Sequence, residues 1–166
     1  MRLSNKKNIP IYQFIFTFIN VWLLIGIFAY ILKFNDINIF KPLIDRLLLF
    51  PPIVLHLIFY LRGKQVFEYD SDGETLNFYN RSIVPILFKD AKDEFPKYKL
   101  LSYEIVNTIL FKKLYIKISS KKSNKTILKY DISYLGKKEI RDLKISLNKV
   151  IKQNKETASI KEQRTL

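Results

Sequence analysis

One histidine, His56, and no cysteine set the limits of the chemistry open to this chain of 166 residues. Without thiols there is no disulfide, no thiol nucleophile and no cysteine-held metal. A lone imidazole also excludes the usual zinc clusters and most acid–base relays. The carboxylates that stand close together, Asp70 with Asp72 and Asp93 with Glu94, fall in turn-like stretches where solvated acids are ordinary. Four glycines in the whole chain leave no glycine-rich phosphate loop. No serine or threonine of the polar part has a histidine within reach to activate it. These patterns predict no enzyme, no catalytic residue, no cofactor and no metal. The groups that do gather are cations: Lys112, Lys113, Lys117, Lys121, Lys122, Lys125 and Lys129, with Tyr115 and Tyr130 beside them. Lysines gathered in this way act as point charges toward anionic groups. The competing reading is a solvated face of a lysine-rich protein, although loose electrostatic docking needs only a few lysines at a surface.

The elements that position these groups fall into two unlike parts. From Pro10 to Leu32 no residue carries a formal charge, which is a helix of about 30 Å or slightly more and matches a bilayer core. Tyr12 and Tyr30 stand near its ends, where amphipathic rings favour the interface. The basic start MRLSNKK resembles a signal peptide, but the apolar run is too long and no small-residue cleavage site follows, so an uncleaved anchor is expected. A second span is expected over Leu43–Leu61, with Asp45 and Arg46 at the interface and a kink at Pro51–Pro52. With Phe34–Pro42 as a tight connection, residues 1–63 form a transmembrane helical hairpin. Arg2, Lys6 and Lys7 precede the first span, and Arg62 and Lys64 follow the second, so both termini are expected in the cytoplasm. Inside the spans, Asn20 can hydrogen-bond across the pair and Gly26 permits close backbone approach. His56 is read as a neutral ring bonded to the neighbouring helix rather than as a proton site, since no titratable partner stands at its depth.

After Gly63 the hydrophobic period changes from helical to two. Strands are expected at 65–70 and 75–80 around an Asp72–Gly73 turn, with Leu76 and Phe78 facing a core. Residues 83–88 contain Pro85 and read as an edge or irregular strand, and 89–96 as a polar loop. Residues 97–102, 103–111, 114–119 and 126–132 complete about seven candidate strands, of which 114–119 alternates most cleanly. From Lys137 to Gln153, Ile140, Leu143, Leu147, Val150 and Ile151 draw one apolar stripe on a helix. Residues 154–166 read as a flexible basic tail.

An α+β order of about seven short strands and one amphipathic helix resembles the pleckstrin-homology-like fold. Two N-terminal spans ahead of it resemble the small bacterial membrane proteins with a bacterial PH domain, the YcxB-like group among them. That family places a tryptophan–acidic–isoleucine cluster ahead of its last strands, and Tyr103–Glu104–Ile105 stands there with tyrosine in place of tryptophan. The resemblance implies a small barrel or sandwich over residues 64–153 and a role in binding or scaffolding at the cytoplasmic face of the bacterial inner membrane. It carries over no catalytic residue.

Charge agrees with a membrane partner. The chain has 29 basic and 15 acidic side chains, and residues 64–166 hold 22 and 13 of them. This excess is drawn to anionic lipid. Nucleic acid is disfavoured because the polar part has few arginines (Arg81, Arg141, Arg164) and no RNA-binding aromatic signature. Lipid and a protein partner remain as ligands. The alternatives are an accessory subunit of a membrane complex or transporter acting through its hairpin, and an immunity-type membrane protein.

Overall fold

The first helix, α1 (Ile9–Phe34), is apolar on every side, as a helix surrounded by hydrocarbon or by protein must be. Pro10 sits in its first turn, where a missing N–H costs nothing. Its far end closes on Asn35, whose backbone N–H meets the Ile31 and Leu32 carbonyls at 3.3 and 3.1 Å and whose side-chain amide donates to Ile31 at 2.9 Å. The second helix, α2 (Pro42–Leu61), contains Pro51 and Pro52. Both helices are long and apolar enough to cross a membrane. The computed structural model describes residues 1–35, 42–85, 88–120 and 124–163.

Two compact units result. One is Asn8–Leu61; the other joins Met1–Lys7 to Arg62–Leu166. Within the helical unit, Ile19, Gly26 and Ala29 of α1 are buried, as are Pro52 and Phe59 of α2. A Cβ on Gly26 would lie 2.4 Å from the Leu48 carbonyl oxygen, so only a glycine lets the backbones meet there. Pro52, four residues on, has no N–H to offer that carbonyl, which leaves it available to the facing helix. Lys33 and Asp45 close the pair with an ion pair of 2.9 Å.

The second unit is α+β. A four-stranded antiparallel sheet has the order β1 (Arg2–Ser4), β2 (Val66–Asp70), β3 (Thr75–Arg81), β4 (Ala91–Pro96). A three-stranded one has the order β5 (Leu100–Asn107), β6 (Lys112–Ser120), β7 (Asn124–Asp131). Helix α3 (Lys137–Gln163) follows. Inward residues alternate along the strands and meet in one core: Phe67, Tyr69, Leu76, Phe78 and Phe95 from the first sheet, Leu100, Leu114, Ile116 and Tyr130 from the second. Phe78 stacks on Tyr130 at 4.9 Å and on Phe95 at 5.7 Å, joining the two sheets through aromatic faces. Leu143, Leu147 and Val150 bring the α3 stripe into the same core. Glu139 reaches back to the Gly136 N–H at 2.7 Å and caps that helix.

Several expectations are corrected. Among the described residues the two sheets do not close into a barrel. Residues 91–96, read as polar loop, form β4, because Ala91, Asp93 and Phe95 on its inward face pair with Asn80, Phe78 and Leu76 while Lys92 and Glu94 face out; the inward Asp93 is satisfied by the Tyr130 hydroxyl. Of 83–88, the described residues form no strand, since Pro85 cannot donate to a ladder. The runs 97–102 and 103–111 resolve into a 3-10 turn at Lys97–Lys99 and the single strand β5. The first seven residues do not belong with the hairpin: Arg2, Leu3 and Ser4 pair with Asp70, Tyr69 and Glu68. The stretch from 154, read as an aperiodic tail, continues α3 to Gln163, helped by a Lys152–Glu156 pair one turn apart.

Candidate functional site

The lysine cluster is built by the β6–β7 hairpin, whose pleat sorts its side chains by parity. Leu114, Ile116 and Ile118 of β6 and Leu128 and Tyr130 of β7 turn inward. Lys113, Tyr115, Lys117 and Ser119 therefore share the outer face with Lys125, Ile127, Lys129 and Asp131. The ladder sets them in rows: Lys113 opposite Asp131, Tyr115 opposite Lys129, Lys117 opposite Ile127, Ser119 opposite Lys125. On the other side of β6, Ser102, Glu104 and Val106 of β5 extend the rows. A shallow hollow of about 330 Å³ lies on this face, lined by Ser102, Tyr103, Glu104, Tyr115, Lys117 and Ile127.

The seven lysines do not form one patch. Lys113 is half-buried, 3.5 Å from Asp131 and 5.1 Å from the Phe111 ring centre, so it serves the fold. The Asp131 carboxylate also accepts the Lys64 N–H at 3.2 Å, beside Gly63, whose φ of 74° and lack of a side chain allow that approach. Lys112 has the parity of Leu114 and stands off the outer face; its backbone N–H donates to the Ser133 hydroxyl at 3.0 Å. Lys121 and Lys122 lie outside the described residues. Lys117, Lys125 and Lys129 are exposed, and Lys129 hangs 5.9 Å from the Tyr115 ring centre, a contact that holds its ammonium over the face. Glu104 and Asp131, which the charge count along the chain does not single out, sit among them. They make this an electropositive face rather than a convergent phosphate pocket.

In the helical unit, Asn20 donates its amide to the Phe16 carbonyl at 2.7 Å. His56 Nδ1 lies 2.9 Å from the Pro52 carbonyl and Nε2 lies 3.4 Å from Asn20 Oδ1 across the helix pair. The Phe16 ring meets His56 edge-on at 5.8 Å. The carboxylate of these two described helices, Asp45, is paired with Lys33 near the start of α2.

The carboxylate pairs hold structure together. Arg2 Nε lies 2.9 Å from Asp70 and 3.2 Å from Asp72, and Asp70 accepts the Asp72 N–H at 2.8 Å. Asp93 accepts the Tyr130 hydroxyl at 2.8 Å; burial first and Asp93 second push that phenol far above its ordinary value. Burial likewise raises the Tyr69 and Tyr103 phenols, against hydrogen bonds from Ser146 and Asn148. Among the described residues no three His, Asp or Glu side chains gather to hold a metal ion. Comparison with family models, with curated proteins and with solved structures gives no match to this chain.

Proposed function

We propose that this chain is a non-enzymatic membrane-anchored binding protein, held in a bacterial cytoplasmic membrane by α1 and α2 with both termini cytoplasmic. Its β unit acts as a PH-like module whose outer β5–β6–β7 face leans on anionic lipid. The observation that carries the reading is the shared face of Lys117, Lys125 and Lys129, in a chain whose two helices are long and apolar enough to span. What supports the PH-like reading is two antiparallel sheets followed by a terminal helix, with six strands after α2 and a seventh, β1, contributed from ahead of α1. The anchor raises the local concentration of lipid, so weak contacts suffice. Each lysine near an anionic surface contributes about 1 kcal/mol.

The test is hydrogen exchange of the full chain in nanodiscs of neutral and of anionic lipid. Residues 112–120 and 124–131 are expected to exchange more slowly only beside anionic lipid, with the difference removed by high salt. Replacing Lys117, Lys125 and Lys129 together by glutamate should abolish it. Equal exchange in both lipids overturns lipid contact at this face, and slowing that needs added cytosolic protein points to a protein partner instead.

A further inference from the structure

The turn between β5 and β6 carries the most exposed large apolar side chain among the described residues. Ile109 is fully exposed and Leu110 beside it is exposed. Hairpin tips facing water favour asparagine, aspartate and glycine. This one is also firmly built: the Thr108 N–H and hydroxyl both donate to the Phe111 carbonyl at 2.9 Å, and the Phe111 N–H returns to the Thr108 hydroxyl at 3.1 Å. Two apolar side chains are thus held outward on a closed turn.

The base of that turn is tied to the residue that follows α2 in the chain. At its base, Lys112 donates to the Ser133 hydroxyl, and that hydroxyl donates to the Arg62 carbonyl at 2.7 Å. The Arg62 guanidinium bonds the Ser133 carbonyl at 3.1 Å and lies 4.5 Å from the Tyr134 ring centre. One serine therefore separates the hairpin base from the residue that directly follows α2. Behind the tip come Phe111, then Lys112 and Lys113, with Arg62 adjacent. That order, apolar tip, aromatic ring, cations, matches the order of acyl chain, interface and anionic head group.

We propose that Thr108–Phe111 is a wedge that dips Ile109 and Leu110 into the head-group boundary of an anionic bilayer and pins the β5–β6–β7 sheet by one end. This rests on the reading that α1 and α2 lie in that bilayer, and not on the lysine face.

The natural absence of cysteine allows single labels on the full chain. Ile109→Cys, Phe28→Cys and Glu74→Cys would each carry a nitroxide in phosphatidylcholine–phosphatidylglycerol vesicles at low protein density. Phe28 is an exposed α1 residue, and Glu74 lies in the turn at the opposite end of the β2–β3 hairpin from Gln65. Collisions with oxygen should exceed those with an aqueous nickel chelate at 28 and 109, and the order should reverse at 74. A lipid-like 28 with a water-like 109 removes the wedge and leaves the anchor standing. A water-like 28 removes the anchor, and the wedge with it. A lipid-like 74 means that the unit lies flat, and a 109 signal that changes with protein density means that a second copy covers the tip; either overturns the wedge.

Discussion

Gly26 and Tyr130 show how single residues hold each unit. A methyl group on Gly26 meets a backbone carbonyl rather than a side chain that could swing aside, so Gly26→Ala must push the helices apart. Overpacking of this kind costs about 1–3 kcal/mol. The variant should melt earlier in mild detergent, and the distance between nitroxides at positions 28 and 50 should lengthen; an unchanged distance would show that the backbones do not meet. Tyr130 sits where both sheets stack, and its hydroxyl satisfies Asp93. Its raised phenol has a definite sign in the stability balance. Below about pH 10 the folded and unfolded chains both hold the proton. Above that value only the folded chain does, so its stability falls as pH rises. Buried Tyr69 and partly buried Tyr103 add to the same trend. Tyr130→Phe should therefore lose about 1–2 kcal/mol near neutrality, through the unmade bond to Asp93. It should also flatten the alkaline limb of the unfolding curve followed by near-ultraviolet circular dichroism.

At the scale of elements, the short strand β1 has weight beyond its three residues. Leu3 is buried in the common core and its neighbours lean on Asp70 and Glu68, whereas Arg2 is exposed. Leu3→Ala should cost about 2–3 kcal/mol by cavity formation. Arg2→Ala, losing surface ion pairs, should cost under about 1 kcal/mol, and thermal unfolding in detergent separates the two. This strand also explains what could be read beforehand. β6 was plain because Leu114, Ile116 and Ile118 alternate with polar residues over nine positions. β1 offers one inward leucine between two polar residues, too short for any period. β4 hides for a related reason: three consecutive charged residues, Lys92, Asp93 and Glu94, break its apolar pattern, and tertiary pairing with β3 decides its state. The end of α3 was missed because its apolar stripe stops at Ile151, where helix-favouring Lys and Glu carry the turns onward. At the lysine face the cations could be counted but not sorted, since strand parity sends Lys112 away from Lys113 and register alone sets Asp131 against Lys113. The Ile109–Leu110 tip was hidden inside a run that read as continuous strand.

At the scale of the whole chain, the pairing of β1 with β2 constrains topology more tightly than flanking charge does. Of the eight residues that precede α1, the first seven belong to the same unit as everything after α2. A chain whose hairpin crosses a bilayer twice can make that pairing only if both outer ends emerge on one side. A single crossing would strand Arg2–Ser4 across the membrane from Asp70, breaking the ladder and leaving the β2 edge open. On the proposed membrane-anchored reading the positive flanks would select the cytoplasmic side, since Arg2, Lys6, Lys7, Arg62 and Lys64 all lie at those ends. Tags at residues 1 and 166 should both be cut by protease added to inverted inner-membrane vesicles, and both be spared in intact spheroplasts. Cleavage of one tag in each preparation would mean that α2 does not cross. It would also mean that β1 leaves the sheet in the cell, and Leu3→Ala would then have no effect on stability in vesicles.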